Sequence, residues 1–317
     1  MTNSDAFEFP PDKERIHRRA VKLEWLTLAY MASAIFVIYL VLGSSQAMKT
    51  AWVEDILSLL PPAAFLVASR VRRRPRNSEF PYGYHRAVSI AFLVAALSLL
   101  IMGVLLFYDS LSNLIAAEHP SIGVVQPFGE PVWLGWFMIA ALTYTTIPPV
   151  LLGRAKMEPA RALHDKVLYA DAKMNKADWL TAVAAMVGVI GIGAGLWWMD
   201  AAAALVISGD IMKDGAVNLR AVVKDLMDTA PTRVDHSGSE ALPARIETEM
   251  RKFDWVSDVR VRMREEGHIF YGEIYIVPAD ERNLLARLDE ARTKAEDLDW
   301  RVGDVVVTFV KSVPEGV

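Results

Sequence analysis

Residues 170–181 read ADAKMNKADWLT and run straight into AVAAMVGVIGIGAGLWW at 182–198, which carries no charge. A helix crossing a membrane needs roughly 20 mostly apolar residues for a hydrocarbon core about 30 Å thick, and the stretch after Asp178 supplies them. Asp171, Asn175 and Asp178 stand on its threshold, four and three residues apart, which stacks their side chains on one helix face. Such a face either caps a membrane helix or holds something positive.

Working outward, runs near 23–43, 50–69, 87–117, 132–153 and 179–198 all have the length and apolarity of spans. A sixth, 200–219, is less plain. Its apolar part, AAAALVISG at 201–209, covers about half a crossing at ~1.5 Å per residue, and Asp210, Lys213 and Asp214 follow. Lys13, Arg15, Arg18, Arg19 and Lys22 precede the first span. Arg70, Arg72, Arg73, Arg74 and Arg76 separate the second from the third, and Arg154, Lys156, Arg161, Lys166 and Lys173 the fourth from the fifth. The alternate loops offer Lys49 and almost nothing else. By the positive-inside rule the amino terminus is cytoplasmic; six spans return the carboxy terminus there, and six is the expectation.

Composition narrows the function. The net charge of −4 over 317 residues argues against nucleic acid, which needs a concentrated basic face. The chain has no cysteine, so disulfides, thiolate metal sites and cysteine nucleophiles are excluded. No nucleophile–base pair, P-loop or phosphate-binding glycine pattern is present, and no enzyme and no resident cofactor are expected. The polar first 21 residues predict no cleavable signal peptide.

From Pro231 onward the pattern changes to that of a soluble domain. Leu242, Ile246 and Met250 have helical spacing, VRVRMR alternates as a strand, EEG is a turn, and IFYGEIYIV is a second strand. An amphipathic helix follows with Leu284, Leu285, Leu288 and Ala291 on its apolar face, and DVVVTFV closes the domain. The order αββαβ suits a small two-layer α+β domain. The expected organisation is a cytoplasmic segment at 1–21, a membrane α-helical bundle of six transmembrane helices at 22–220, a connector at 221–230, and a cytoplasmic ferredoxin-like α+β domain at 231–317.

This layout resembles the cation diffusion facilitator family of metal transporters. YADA at 169–172 with Asp178 is similar to the family's ADA-x-H-x-x-x-D stretch, PYGYHR at 81–86 looks like its FGH-x-K stretch, and DLMDTAP at 225–231 is similar to its LMD-x-A segment. The resemblance implies a transport site of two residues four apart from span two and two from span five. Carried across, these are Glu54 and Ser58, and Met174 and Asp178. Met174 and Ser58 stand where histidine or aspartate is expected. Asp55, Asn175 and Asp171 lie within a one-residue slip or rotation of the same space. An oxygen-rich set would suit a hard ion such as Mn²⁺ or Fe²⁺ better than Zn²⁺, with Co²⁺ as a further possible cargo.

The resemblance further implies proton antiport, a homodimer through residues 231–317, and a charge lock between Arg86 and Asp228 that fixes the dimer. It implies a bacterial cytoplasmic (inner) membrane, with both termini cytoplasmic. Tyr275 and Thr308 occupy places where many relatives carry histidines, so a domain that dimerises without zinc is expected. The arginine run at 70–76 suits anionic lipid headgroups. Asp210, near mid-membrane if span six is real, has Lys213 three residues on as its nearest local partner. The Pro-Pro pairs at 61–62 and 148–149 free carbonyls of the preceding turn, with Tyr144, Thr145 and Thr146 beside the ion path. Two rival readings are a transport-silent, metal-responsive dimerisation scaffold, and a carrier of another solute gated by Asp210 and Lys213.

Overall fold

A computed structural model of the chain describes residues 8–41, 52, 55–117, 122–126 and 130–314. Among these residues six helices form a bundle: α1 (Pro11–Val41), α2 (Leu60–Val71), α3 (Arg86–Ile115), α4 (Leu134–Ala162), α5 (Lys166–Gly193) and α6 (Met199–Leu226). α1, α3, α4 and α5 are long and apolar enough to cross a membrane. α6 has 28 residues but its apolar run is cut by Asp210, Lys213 and Asp214, and α2 has only 12. Two short strands, β1 (Val124–Val125) and β2 (Val132–Trp133), pair antiparallel between α3 and α4.

The bundle packs in two tight pairs, α3 on α6 and α4 on α5. The first rests on glycine. A Cβ on Gly215 would lie 2.6 Å from the Leu100 Cα, and one on Gly103 would lie 2.8 Å from the Met212 backbone nitrogen. Backbone-to-backbone approach of this kind is how helices associate where no hydrophobic force distinguishes side chain from lipid. It draws α6 into the bundle despite its charges.

The second apolar run is not one continuous helix. Residues 55–57 are helical, 58–59 form a turn, and α2 then starts at Leu60 with Pro61 and Pro62 in its second and third positions. Prolines are tolerated there because first-turn N–H groups have no intrahelical acceptor. The carbonyls of Leu57 and Ser58, four residues back, lose their helical donors.

The C-terminal α+β domain comprises α7 (Leu242–Met250), β3 (Val256–Glu266), β4 (Ile269–Pro278), α8 (Leu284–Leu298) and β5 (Val302–Phe309). The sheet order is β3-β4-β5, with β3 and β4 antiparallel and β5 joining β4 in parallel after the α8 crossover. Leu242, Ile246 and Met250 of α7 are fully buried on the sheet, as their spacing of four predicts. α8 departs from expectation at Leu285, which is 83% exposed. The stripe that faces the sheet runs Leu288, Ala291, Ala295, Leu298, and Leu285 lies off that phase. Tyr275 and Thr308 are register partners on β4 and β5, and Tyr275 is bonded to Glu273 and Arg262.

The β3–β4 hairpin tip is docked against the helical bundle. Glu265, Glu266 and His268 are buried around Gly267, whose φ of +66° and close approach (a Cβ would sit 2.9 Å from the His85 carbonyl oxygen) admit only glycine without strain. Lys166, at the start of α5, donates to Glu265 Oε2 at 2.9 Å, Asp225 Oδ2 at 2.8 Å and Thr232 Oγ1 at 2.9 Å. His268 Nδ1 donates to the Leu163 carbonyl at 3.0 Å, since a carbonyl can only accept. Burial pushes the His268 ring well below its ordinary pKa, so it sits neutral in this joint.

Candidate metal transport site

Asp178 lies on α5 three turns above its start, where the polar threshold gives way to the uncharged run. Ser58, in the turn before α2, is buried and donates its hydroxyl to Asp178 Oδ1 at 2.9 Å. Asp55, one helical turn earlier, lines the same cavity as Asp178. Its Oδ2 is buried without a hydrogen-bond partner. Two carboxylates from separate segments therefore face one space, and neither appears in an ion pair among the described residues. An anion in a membrane interior without a counter-charge is costly; a bound cation would remove that cost. Glu54 lies outside the described residues.

The walls of the cavity are set by the prolines of α4. Pro149 has no N–H to give the Thr145 carbonyl, and that carbonyl accepts instead from the Tyr30 hydroxyl of α1 at 3.0 Å. Tyr30, Thr145 and Pro149 all line the cavity, and Ser33 bonds the neighbouring Tyr144 at 2.6 Å. Thr146 bonds back to the Leu142 carbonyl and is not on the wall. The cavity extends along α3 past Met102 to Asp109 and Asn113, whose amide donates to Asp109 Oδ2 at 3.3 Å.

The remaining residues of the polar threshold are engaged elsewhere. Asp171 is 1% exposed and its carboxylate is bonded by Lys156 of α4 and by Asn175 Nδ2 at 3.3 Å. Lys156, fully buried, also donates to Glu24 Oε2 of α1 at 2.9 Å. Met174 packs among Leu99, Met102, Leu106, Ala177 and Ile211, an apolar cluster. The side chains of Asp171 and Met174 thus point away from the Asp55–Asp178 space. Among the described residues no group of three or more Asp, Glu or His side chains converges on one point.

Sequence reasoning missed Glu24 and Lys156. Lys156 reads as one of several loop charges, yet it continues a stripe of buried residues on α4, Leu142, Thr145, Pro149, Leu152 and Lys156. Glu24 does the same on α1 between Ala20 and Thr27. Periodicity carried through the charged positions was the available signal.

Two pairings involve residues singled out above. Asp210 is not paired with Lys213 but with Lys176 of α5 at 3.5 Å, and Lys173 reaches Asp214 at 3.2 Å. The α5–α6 contact supplies partners closer than the local three-residue spacing does, and Asp210 is half exposed, outside the cavity. Arg86 does meet Asp228, at 2.5 Å, and also Glu266 at 3.4 Å, while Arg264 reaches Asp228 at 3.6 Å. His236 stacks on Phe92 of α3, with ring centroids 5.7 Å apart.

Comparison with known proteins fits this arrangement. The family model for the cation efflux transmembrane domain matches residues 24–227, which takes in the bundle from Glu24 on α1 to the end of α6. The manganese efflux system protein MneS of Bacillus subtilis is 22% identical over 283 residues, 80% of this chain and 93% of that protein. MneP, a manganese efflux system protein of the same organism, is 23% identical over 313 residues, 96% of this chain and 98% of its own length. Mitochondrial metal transporter 1 of Saccharomyces cerevisiae is 22% identical over 244 residues, 70% of this chain and 46% of that protein. The matched bundle and its apolar helices make this an integral membrane protein, and the chain belongs, as a divergent member, to the cation diffusion facilitator family of metal cation transporters.

Proposed function

We propose that the chain exports a divalent metal cation from the cytoplasm in exchange for protons. Asp55 and Asp178 are the anionic ligands of the cargo, Ser58 a neutral one, and Glu54 is assigned to the same set on the family resemblance. The carrying observation is the Asp55–Asp178 pair facing one cavity, with Asp55 Oδ2 unpartnered. Among the described residues no histidine lines the cavity; Met31 and Met102 do, with Met102 Sδ 3.9 Å from the Ser58 hydroxyl, and the Met174 thioether is turned into an apolar cluster. With two carboxylates and a hydroxyl as the assigned ligands, a hard ion, Mn²⁺ or Fe²⁺, is favoured over Zn²⁺, and two relatives are named for manganese efflux.

Carboxylates that hold the ion when ionised release it when protonated, which supplies the coupling. In this reading, which the basic loops support, the α+β domain is cytoplasmic, the cavity faces the opposite side and the bundle makes six crossings. The assembly is a homodimer through residues 231–317, with the Arg86–Asp228 pair as the charge lock that fixes the dimer. The membrane is a bacterial cytoplasmic one. The test is metal flux into proteoliposomes under a pH gradient with Mn²⁺, Fe²⁺, Zn²⁺ and Co²⁺, comparing the parent with Asp178→Asn and Asp55→Asn. Loss of one anionic ligand is expected to cut flux at least about tenfold, the equivalent of 1.4 kcal/mol in ion affinity. Unchanged flux in both variants refutes the site; no flux for any ion in a folded parent favours the scaffold reading.

A further inference from the structure

The cavity lies towards one end of the bundle. On every helix that lines it, the lining residues run from about the middle towards the end remote from the α+β domain: Tyr30 to Ile38 on α1, Met102 to Asn113 on α3, Leu142 to Pro149 on α4, Asp178 to Ala185 on α5 and Ala201 to Ala204 on α6. Towards the α+β domain the bundle is filled by a core that includes Phe65, Phe92, Ala160, Leu168 and Val222. Directly below the cavity floor, on three of the same helices, sit Glu24, Lys156 and Asp171. Glu24 is six residues from Tyr30, Lys156 seven from Pro149, and Asp171 seven from Asp178, each about two turns or ~10 Å along its helix.

We propose that Lys156 is a tethered cation that shuts the route from the α+β side to the Asp55–Asp178 site, with Glu24 and Asp171 as the carboxylates that receive the cargo when it withdraws. This rests on the transport reading above. Lys156 and Glu24 are fully buried and Asp171 is 1% exposed, so the ammonium occupies a place built for a cation and closed to water. Lys156 does not saturate it: Glu24 Oε1 is buried with no partner. Two carboxylates with one ammonium carry a formal charge of −1, whereas two carboxylates with a divalent ion are neutral. In a dry site that difference favours exchange of the lysine for a divalent ion over a monovalent one. Asn175, which bonds Asp171 through its side chain and stands between it and Asp178 on α5, offers the next oxygen along the path.

The chain has no cysteine, so one introduced thiol reports alone. Thr27 lies between Glu24 and Tyr30 on α1 and is fully buried, above the closure and below the cavity. In full-length Thr27→Cys protein in sided proteoliposomes, an impermeant thiol reagent applied from the α+β side is expected to label slowly. Adding Lys156→Met should raise that rate on the order of tenfold or more, with labelling from the opposite side unchanged and Lys156→Arg restoring protection. Equal rates with and without Lys156→Met, or a rise from both sides alike, overturns the proposal. If Lys156→Met does not fold, Glu24→Gln/Lys156→Met/Asp171→Asn leaves no stranded charge and must show the same one-sided rise. Labelling is read without metal and repeated in Asp178→Asn, so failure of the transport site and failure of the closure give separate results.

Discussion

Removing the Tyr30 hydroxyl tests the link between the α4 prolines and the shape of the site. Pro149 leaves the Thr145 carbonyl without its helical donor, and Tyr30 supplies one at 3.0 Å. Tyr30→Phe orphans a partly buried acceptor at a cost of about 1–3 kcal/mol. The lower half of that range applies, because Thr145 lines a cavity that can admit water. In a Pro149→Ala background the restored N–H of residue 149 bonds the Thr145 carbonyl, so Tyr30→Phe should cost almost nothing. The double-mutant cycle should therefore show a coupling of about 1–2 kcal/mol. The assay is the thermal midpoint of the four purified proteins in detergent. One kcal/mol corresponds to roughly 2–4 °C for a domain of 150–250 residues, so a loss of about that size in the parent background should vanish in Pro149→Ala. Equal losses in both backgrounds refute the claim that Tyr30 answers a carbonyl freed by proline.

Further expectations concern the joint between bundle and α+β domain. Gly267→Ala must either hold alanine at a φ of +66° or withdraw the hairpin tip from the His85 carbonyl. The backbone cost alone is about 1–2 kcal/mol, and faster limited proteolysis of the connector should report the loosened docking. His236 is held down to about 4, by burial first and by Lys166 second. On acidification the unfolded chain takes its proton near 6.5 and the folded chain only near 4, so this group's contribution is complete above about pH 6.5 and lost as pH falls towards 4. The midpoint of the parent should fall over that window more steeply than that of His236→Gln, measured across the same buffers; parallel curves count against it.

Much of the architecture was legible because it depends on local composition. The uncharged run after Asp178, the spacing of Leu242, Ile246 and Met250, and the alternation of β3 state their environments directly. The Pro-Pro pairs announced free carbonyls, and the second of them gave the right turn of α4. The polar threshold was legible as a site but not in its division of labour. Asp171, Asn175 and Asp178 share a helix face, yet Asp171 meets Lys156 while Asp178 meets Ser58. The local spacing of Asp210 and Lys213 was a weaker guide than the α5–α6 contact that brings Lys176 to Asp210.

By itself, then, the sequence determined that the chain has a membrane bundle followed by an α+β domain, which family it resembles, and which helix carries the polar threshold. Hydropathy and periodicity are properties of single segments, and a single segment contains all the information needed to read them. Only the tertiary structure decided which charges are neutralised and which are left facing a cavity. A carboxylate's role depends on the cation or hydroxyl brought against it from another helix, as Lys156 of α4 is brought against Glu24 of α1 and Asp171 of α5. That partner is fixed by backbone packing, including the close approach at Gly103 and Gly215, and not by distance along the chain.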